Sequence, residues 1–233
     1  MKVVAIIPAR GGSKRLPRKN IVNFRGKPII DWTIKAAIDS GIFERIVVST
    51  EDDEIAEIAS KSNIDLDNRS ERLSSDKSTV DQVCLDFLIN EEKKSRYYDV
   101  ICCLYATAPL RNAEDIINTV DLVTSQKSEQ AMAVTNFSYP AFQAMFINGL
   151  SELNPLFPEL IKKRSSELEE IVVDNGSTYV STVKAFRREG SFISNKMLGY
   201  KMPKNRSVDI DYEEDLKLAE MFAEMMHKNK TQL

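Results

Sequence analysis

Histidine is almost missing from this chain of 233 residues: His227 is the only one, and it falls in a charged C-terminal stretch. Catalysis built on an imidazole base or an imidazole-activated nucleophile is therefore nearly excluded. Cysteine is scarce too. Cys84, Cys102 and Cys103 are odd in number and lie among apolar residues, which argues for reduced thiols and against a disulfide framework or a zinc cluster. No run approaches the roughly 20 apolar residues of a membrane helix. Met1-Lys2 leads directly into a short apolar segment, so no signal peptide is expected, and the expected location is the cytoplasm. The net charge of −3 offers no broad attraction for nucleic acid or an anionic membrane. There is no internal repeat and no low-complexity linker. The two commonest phosphate fingerprints are absent as well: neither Gly-x-x-x-x-Gly-Lys-Ser/Thr nor Gly-x-Gly-x-x-Gly fits.

What is present is an alternation of strand and helix patterns. Val3 to Ala9 reads as a buried strand, Arg45 to Ser49 as a short β-branched one, and Val100 to Leu104 as a central parallel strand. Ala131 to Thr135 and Gly176 to Val183 look like further strands. Pro28 can open a helix that ends before Gly41. Thr50 and Asp53 suggest a capping-box start for the next, and Thr79 to Glu92 and a segment capped by Asn112 follow. Asn63 to Asp76 shows no clear regular element. The last helix is expected from about Tyr212 to Lys228, with Leu216, Leu218, Ala219, Phe222 and Met226 inward. This order predicts an α/β fold, a mostly parallel sheet in three layers with helices on both faces, and residues 1–233 as one domain. The alternation weakens over residues 137–170, where Pro140, Pro155 and Pro158 interrupt a scatter of aromatics. That stretch reads as an inserted arm. Its aromatics suit a partner surface or packing on the main domain equally.

The first strand runs into a loop dense in positive charge, with Arg10, Lys14, Arg15, Arg18 and Lys19 around Gly11, Gly12 and Ser13. Glycines let backbone N–H groups turn toward a ligand, and several cations together neutralise several phosphate charges. A solvated basic turn would have the same composition. Its place after the first strand of an α/β pattern favours a ligand, with a triphosphate as the natural guest.

Asp209-Ile210-Asp211 is the second feature. In extended chain the two carboxylates share a side while Ile210 enters the core, which suits a magnesium ion. Asp211 followed by Glu214 is equally a capping box for the last helix. Three weaker segments accompany them: Arg69 to Asp76, with a guanidinium and hydroxyls; Tyr105 to Arg111, after the central strand; and Asp174 to Tyr179, where a turn delivers Asn175.

The run Pro8-Ala9-Arg10-Gly11-Gly12-Ser13-Lys14-Arg15-Leu16-Pro17-Arg18-Lys19-Asn20 closely resembles the signature of the acylneuraminate cytidylyltransferases, which make CMP-activated nine-carbon sugar acids. Val47 to Thr50, Arg69 to Asp76, Thr107 to Arg111, Asn175-Gly176 with Tyr179, and Asp209 to Asp211 follow in that family's order. The resemblance implies a nucleotide-diphospho-sugar transferase fold and a Mg²⁺-dependent reaction of CTP with a nonulosonic acid. It implies that Arg10, Ser13, Lys14, Lys19 and Asn20 contact the nucleotide and that Arg69 and Ser75 hold base and ribose. Asp209 and Asp211 would hold the metal, and Arg10, Lys19 and the two aspartates would carry catalysis. Tyr105, Arg164, Asn175 and Tyr179 would meet the sugar. It also implies a homodimer whose arm, residues 137–170, reaches the neighbouring subunit. Tyr105-Ala106-Thr107-Ala108-Pro109 replaces the Gln-Pro-Thr-Ser-Pro of sialate enzymes, and Phe142 stands where a lysine is common. Those segments and Arg164 to Glu170 are most similar to the pseudaminate branch, while Asp174-Asn175-Gly176 is closer to the sialate pattern. N-acetylneuraminate and legionaminate remain alternatives, as do a 3-deoxy-octulosonate enzyme and a non-catalytic nucleotide-binding module.

Overall fold

The central strands of this chain form where apolar runs can be covered on both faces. The structure, a computed structural model, describes residues 1–231. Strand β1 (Val3–Pro8) is buried along nearly its whole length. Its odd residues Val3, Ala5 and Ile7 enter one core and its even residues Val4 and Ile6 the other, as a strand between two helix layers requires. A short hairpin, β2 (Asn23–Phe24) and β3 (Lys27–Pro28), leads into helix α1 (Ile29–Ser40), which ends on Gly41 at φ 64°. Then come β4 (Arg45–Thr50), α2 (Asp53–Ser60) and β5 (Asp65–Asn68). Helix α3 (Val80–Lys93), β6 (Val100–Leu104), α4 (Ala113–Thr124) and β7 (Gln130–Asn136) complete the first half.

Beyond β7 the chain leaves the sheet for a small hairpin, β8 (Met145–Ile147) and β9 (Leu153–Pro155), and returns as β10 (Val172–Thr182). Helix α5 (Val183–Glu189), β11 (Leu198–Lys201) and α6 (Glu213–Thr231) finish the fold. The sheet order is β11-β7-β10-β6-β1-β4-β5. Every pairing in it is parallel except those of β10, which is antiparallel to both β6 and β7. The arm is thus the long connection that lets β10 come back between β6 and β7.

One core lies under α1, α2 and α4, the second under α3 and α5. A third cluster joins Phe24, Ile29 and Leu110 to Val208, Ile210 and Ala219, and so fastens α6 to the carboxyl edge of the sheet. The three-layer, mostly parallel arrangement expected from the sequence is the one observed. Among the described residues no helix is long and apolar enough to cross a membrane.

Several local expectations change. Asp52, not Thr50 with Asp53, caps α2: its carboxylate accepts the Ile55 N–H at 3.0 Å. The stretch from Asn63 to Asp76 does hold regular structure, the edge strand β5 and a 3₁₀ turn at Glu71–Leu73. Strand β5 alternates polar residues and is only partly covered, so it has no apolar run to announce it. Strand β10 begins four residues earlier than expected, and β11 carried no readable signal. Leu218 is exposed rather than inward.

Candidate active site

A cleft of about 250 Å³ opens at the carboxyl ends of β1 and β6, where open α/β sheets gather ligands. The basic loop forms one wall, and the N-terminal turn of α3 with the segment before it forms the other. Arg10, Ser13, Lys14, Lys19 and Asn20 all border this cleft. So do Arg69, Ser75, Tyr105 and Asp211, from three other segments.

Each cation here is held by a carboxylate of the chain. Lys19 Nζ donates to Asp211 Oδ1 at 2.6 Å, and Arg15 lies 2.6 Å from Asp211 Oδ2. Arg10 lies 2.9 Å from Asp76 Oδ1, and Lys14 pairs with the other oxygen of Asp76. Arg18 behaves differently from its neighbours. It turns from the cleft and grips Asp52 with both terminal nitrogens, at 2.5 and 2.9 Å, and reaches Glu54 at 2.5 Å. The same junction takes the Gly11 N–H, which donates to Glu51 Oε1 at 2.9 Å. A Cβ on Gly11 would stand 2.2 Å from Asp52 Oδ2. The amide of Gly11 is therefore spent on loop anchoring, and glycine is needed for close approach. Asn20 closes the loop by donating from Nδ2 to the Arg10 carbonyl at 2.9 Å.

Arg69 is buried, with Nη2 donating to the Ser49 carbonyl at 2.6 Å and Glu51 at 3.8 Å. Burial pulls its pKa below the usual guanidinium value despite the Glu51 charge.

A second, wider cleft of about 960 Å³ adjoins the first on the arm side. Asn175, Tyr179 and Asp209 border it, with Phe137, Tyr139 and Phe157 from the arm. No Lys or Arg is among the described residues of its lining. Tyr179 donates to both oxygens of Asp174, at 2.8 and 2.9 Å, and its ring stacks at a tilt 5.0 Å from that of Tyr105. Tyr105 thus stands at the partition, in the cation-lined cleft rather than the arm-side one. Asn175 is buried and donates from Nδ2 to Ser207 Oγ at 3.1 Å. Arg164 is exposed on the arm and borders neither cleft.

The aspartate pair sits where the clefts meet. Ile210 is buried, and its N–H donates to the Thr107 carbonyl at 3.0 Å. This fixes Asp209 toward the wider cleft and Asp211 toward the cation-lined one. Asp211 does not cap α6 with Glu214. Instead, Asp215 Oδ2 reaches back to accept the N–H groups of Asp211 and Tyr212 at 3.0 and 2.8 Å, and the Asp211 carboxylate takes Lys19 and Arg15. Thr107 Oγ1 donates to Asp209 Oδ1 at 2.5 Å. Burial pushes the Asp209 carboxyl up to about 6, while Thr107 and Lys19 pull the other way and Asp211 and Asp174 add to the rise.

Strand β10 shifts register between Asp174 and Tyr179, and within that bulge Gly176 has φ +63°. A Cβ there would stand 2.4 Å from Asp209 Oδ2. Both reasons demand glycine. No feature near Thr107 or Gly176 in sequence points to Asp209; only the β6 and β10 neighbourhood brings them together. Asp76 closes the segment Arg69 to Asp76, but nothing in the sequence assigns its carboxylate a role, since its partners lie more than sixty positions upstream.

The donor set at the junction fits magnesium. It offers hard carboxylate oxygens from two residues, one of them buried with no cation hydrogen-bonded to it, beside a cleft able to bring phosphates. No group of three or more His, Cys, Asp or Glu side chains suited to a metal occurs among the described residues.

Comparison with known proteins gives a consistent picture. A family model described as Cytidylyltransferase matches residues 4–226. A pseudaminic acid cytidylyltransferase of Campylobacter jejuni is 35% identical over 230 residues, covering 98% of this chain and 99% of that protein. A CMP-N,N'-diacetyllegionaminic acid synthase of Legionella pneumophila is 33% identical, covering 97% of each chain. Among solved structures, a CMP:2-keto-3-deoxy-manno-octonic acid synthetase complexed with CTP superposes with a TM-score of 0.69 at 15% identity, over 98% of this chain and 100% of that one. At that identity the likeness speaks for the fold.

Proposed function

This chain belongs to the cytidylyltransferase family, and from that premise we propose that it joins CMP to a nonulosonic acid of the pseudaminate kind. The carrying observation is the meeting of the two clefts at Asp209 and Asp211. One cleft has the cations a triphosphate needs. The other is wide, partly aromatic and open to a sugar.

In this reading CTP lies in the cation-lined cleft, with base and ribose near Arg69 and Ser75 and its phosphates along Arg10, Ser13, Lys14, Lys19 and Asn20. The sugar acid occupies the arm-side cleft against Asn175 and Tyr179. Its anomeric oxygen attacks the α-phosphorus, the bond from that phosphorus to the bridging oxygen of the β-phosphate breaks, and pyrophosphate leaves. Lys19 and Arg10 stabilise the negative charge that spreads over the phosphoryl oxygens. The hydroxyl proton goes to Asp211, which can accept it only once Lys19 or Arg15 has moved from its carboxylate onto phosphate. Asp209 and Asp211 would hold Mg²⁺, which when bound supplies charge neutralisation at the phosphates.

A sugar acid is an anion, yet the arm-side cleft carries aspartates and no cation of its own among the described residues. The exposed arm offers Lys162, Lys163 and Arg164 in succession. This supports a homodimer in which each arm completes the neighbour's sugar site. The three buried free cysteines support a reducing, cytoplasmic setting.

The test is pyrophosphate release from CTP with pseudaminate, legionaminate and N-acetylneuraminate side by side. Pseudaminate is expected to give the highest kcat/KM. Preference for either other acid would move the substrate assignment, and CTP binding without pyrophosphate release from any acid would favour a binding module.

A further inference from the structure

Asp76 holds two of the loop cations and has no part in the reaction described above. Arg10 lies 2.9 Å from Asp76 Oδ1, and Lys14 sits on Oδ2. Asp76 is at the tip of a turn in which the Ser78 N–H donates to the Ser75 carbonyl at 3.1 Å. Buried Leu73 anchors the turn on one side, and the Thr79 cap of α3 anchors it on the other. Ser75 and Ser78 line the nucleotide cleft, so Asp76 reaches across its mouth from the wall facing the basic loop.

A carboxylate bound this way occupies the cations that terminal phosphates require. Terminal phosphates must compete with Asp76 for Arg10 and Lys14. The contact is also cheap to break, because Lys14 is 81% and Asp76 44% exposed, and solvent-exposed ion pairs are weak.

We propose that Asp76 is an internal anion that trades places with the terminal phosphates of the nucleotide. It withdraws as the β- and γ-phosphates enter. After the bond to the α-phosphorus has broken, it returns to Arg10 and Lys14 and displaces pyrophosphate. The inference rests on the nucleotide reading of this cleft, and it assigns to Asp76 the role of setting product release.

The experiment uses the full chain and calorimetric titration with inorganic pyrophosphate, CTP and CMP at fixed magnesium. Asp76→Asn keeps the side-chain shape and removes the charge, and Asp76→Ser, which also suits a turn, is the second variant. Losing a competing exposed pair should tighten pyrophosphate and CTP by about threefold to fivefold. CMP, which lacks terminal phosphates, should change less than twofold, and turnover should become more sensitive to added pyrophosphate. Asp86→Asn, which removes a carboxylate facing Arg72 on α3, controls for net charge. Unchanged or weaker pyrophosphate binding in the Asp76 variants overturns the proposal, as does equal tightening in Asp86→Asn. Wild-type protein that binds neither CTP nor pyrophosphate overturns the nucleotide reading itself, and this inference with it.

Discussion

Thr107 and Asp209 are 102 residues apart in sequence, and the hydroxyl of one donates to the carboxylate of the other at 2.5 Å. The bond ties the loop after β6 to the segment before α6, so the aspartate's orientation depends on the sheet rather than on its own neighbours. Thr107→Val keeps the shape and loses the donor. A hydrogen bond to a charged group is worth about 1.5–3 kcal/mol, so kcat/KM should fall about tenfold to a hundredfold, with a raised requirement for magnesium. Thr107→Ser should recover most of it. A valine variant with wild-type kinetics across a magnesium series would remove this bond from the account.

Asp209 also makes the protein less stable than it could be. Burial raises its pKa from 3.8 to about 6. The folded state therefore holds its proton more tightly than the unfolded one, and stability falls as pH rises from about 4 to about 6. Above that the penalty is fully present. With one pKa unit worth about 1.4 kcal/mol, Asp209→Asn should stabilise the chelator-treated protein at pH 7 by up to about 3 kcal/mol. The gain should vanish near pH 4. Denaturant unfolding at the two pH values measures it, and equal stability of both proteins at pH 7 would contradict the burial argument.

Arg18 and Lys19 are adjacent but should fail differently. Lys19 faces the cleft and Asp211; Arg18 faces Asp52 and Glu54. Lys19→Ala should cost about 10²–10³ in kcat, as loss of a charge-stabilising contact does, with little change in unfolding. Arg18→Ala should lower stability by about 1 kcal/mol, the pair being part-exposed, and raise the KM for CTP modestly through a loosened loop. Steady-state kinetics with thermal melts separate the two, and identical profiles would refute the division.

The arm presents Phe146 and Ile147 to solvent at 63% and 68% exposure. If it is a subunit contact, Phe146→Asp should convert a dimer to a monomer with an unchanged melting profile for the core. Light scattering during size exclusion reads this directly. A wild-type monomer at micromolar concentration would end the dimer proposal.

Much of the fold is legible in the residue pattern alone. Short apolar runs in alternation with helical periods suffice for the layered sheet, because burial on both faces leaves no other pattern for β1 and β6. Edge strand β5 and strand β11 escaped, since a half-covered strand need not be apolar. Asn112 caps α4 as expected, while the cap of α2 lies a residue or so from its expected place: Asp52, Thr50 and Asp53 are all plausible, and only the observed turn geometry selects Asp52. For Asp211 the sequence leaves capping and ion binding equally open, and in the structure its carboxylate takes Lys19 and Arg15.

By itself the sequence determined the chemistry on offer: a cluster of cations after the first strand, two late aspartates around a core isoleucine, and no histidine or thiol free to act. Those are properties of residue type and near spacing. The tertiary structure alone decided which groups face one another, because pairings such as Asp76 with Arg10, Lys19 with Asp211 and Thr107 with Asp209 join distant segments through strand order. A sheet places residues side by side according to which strands hydrogen-bond, and no local pattern in the chain encodes that order.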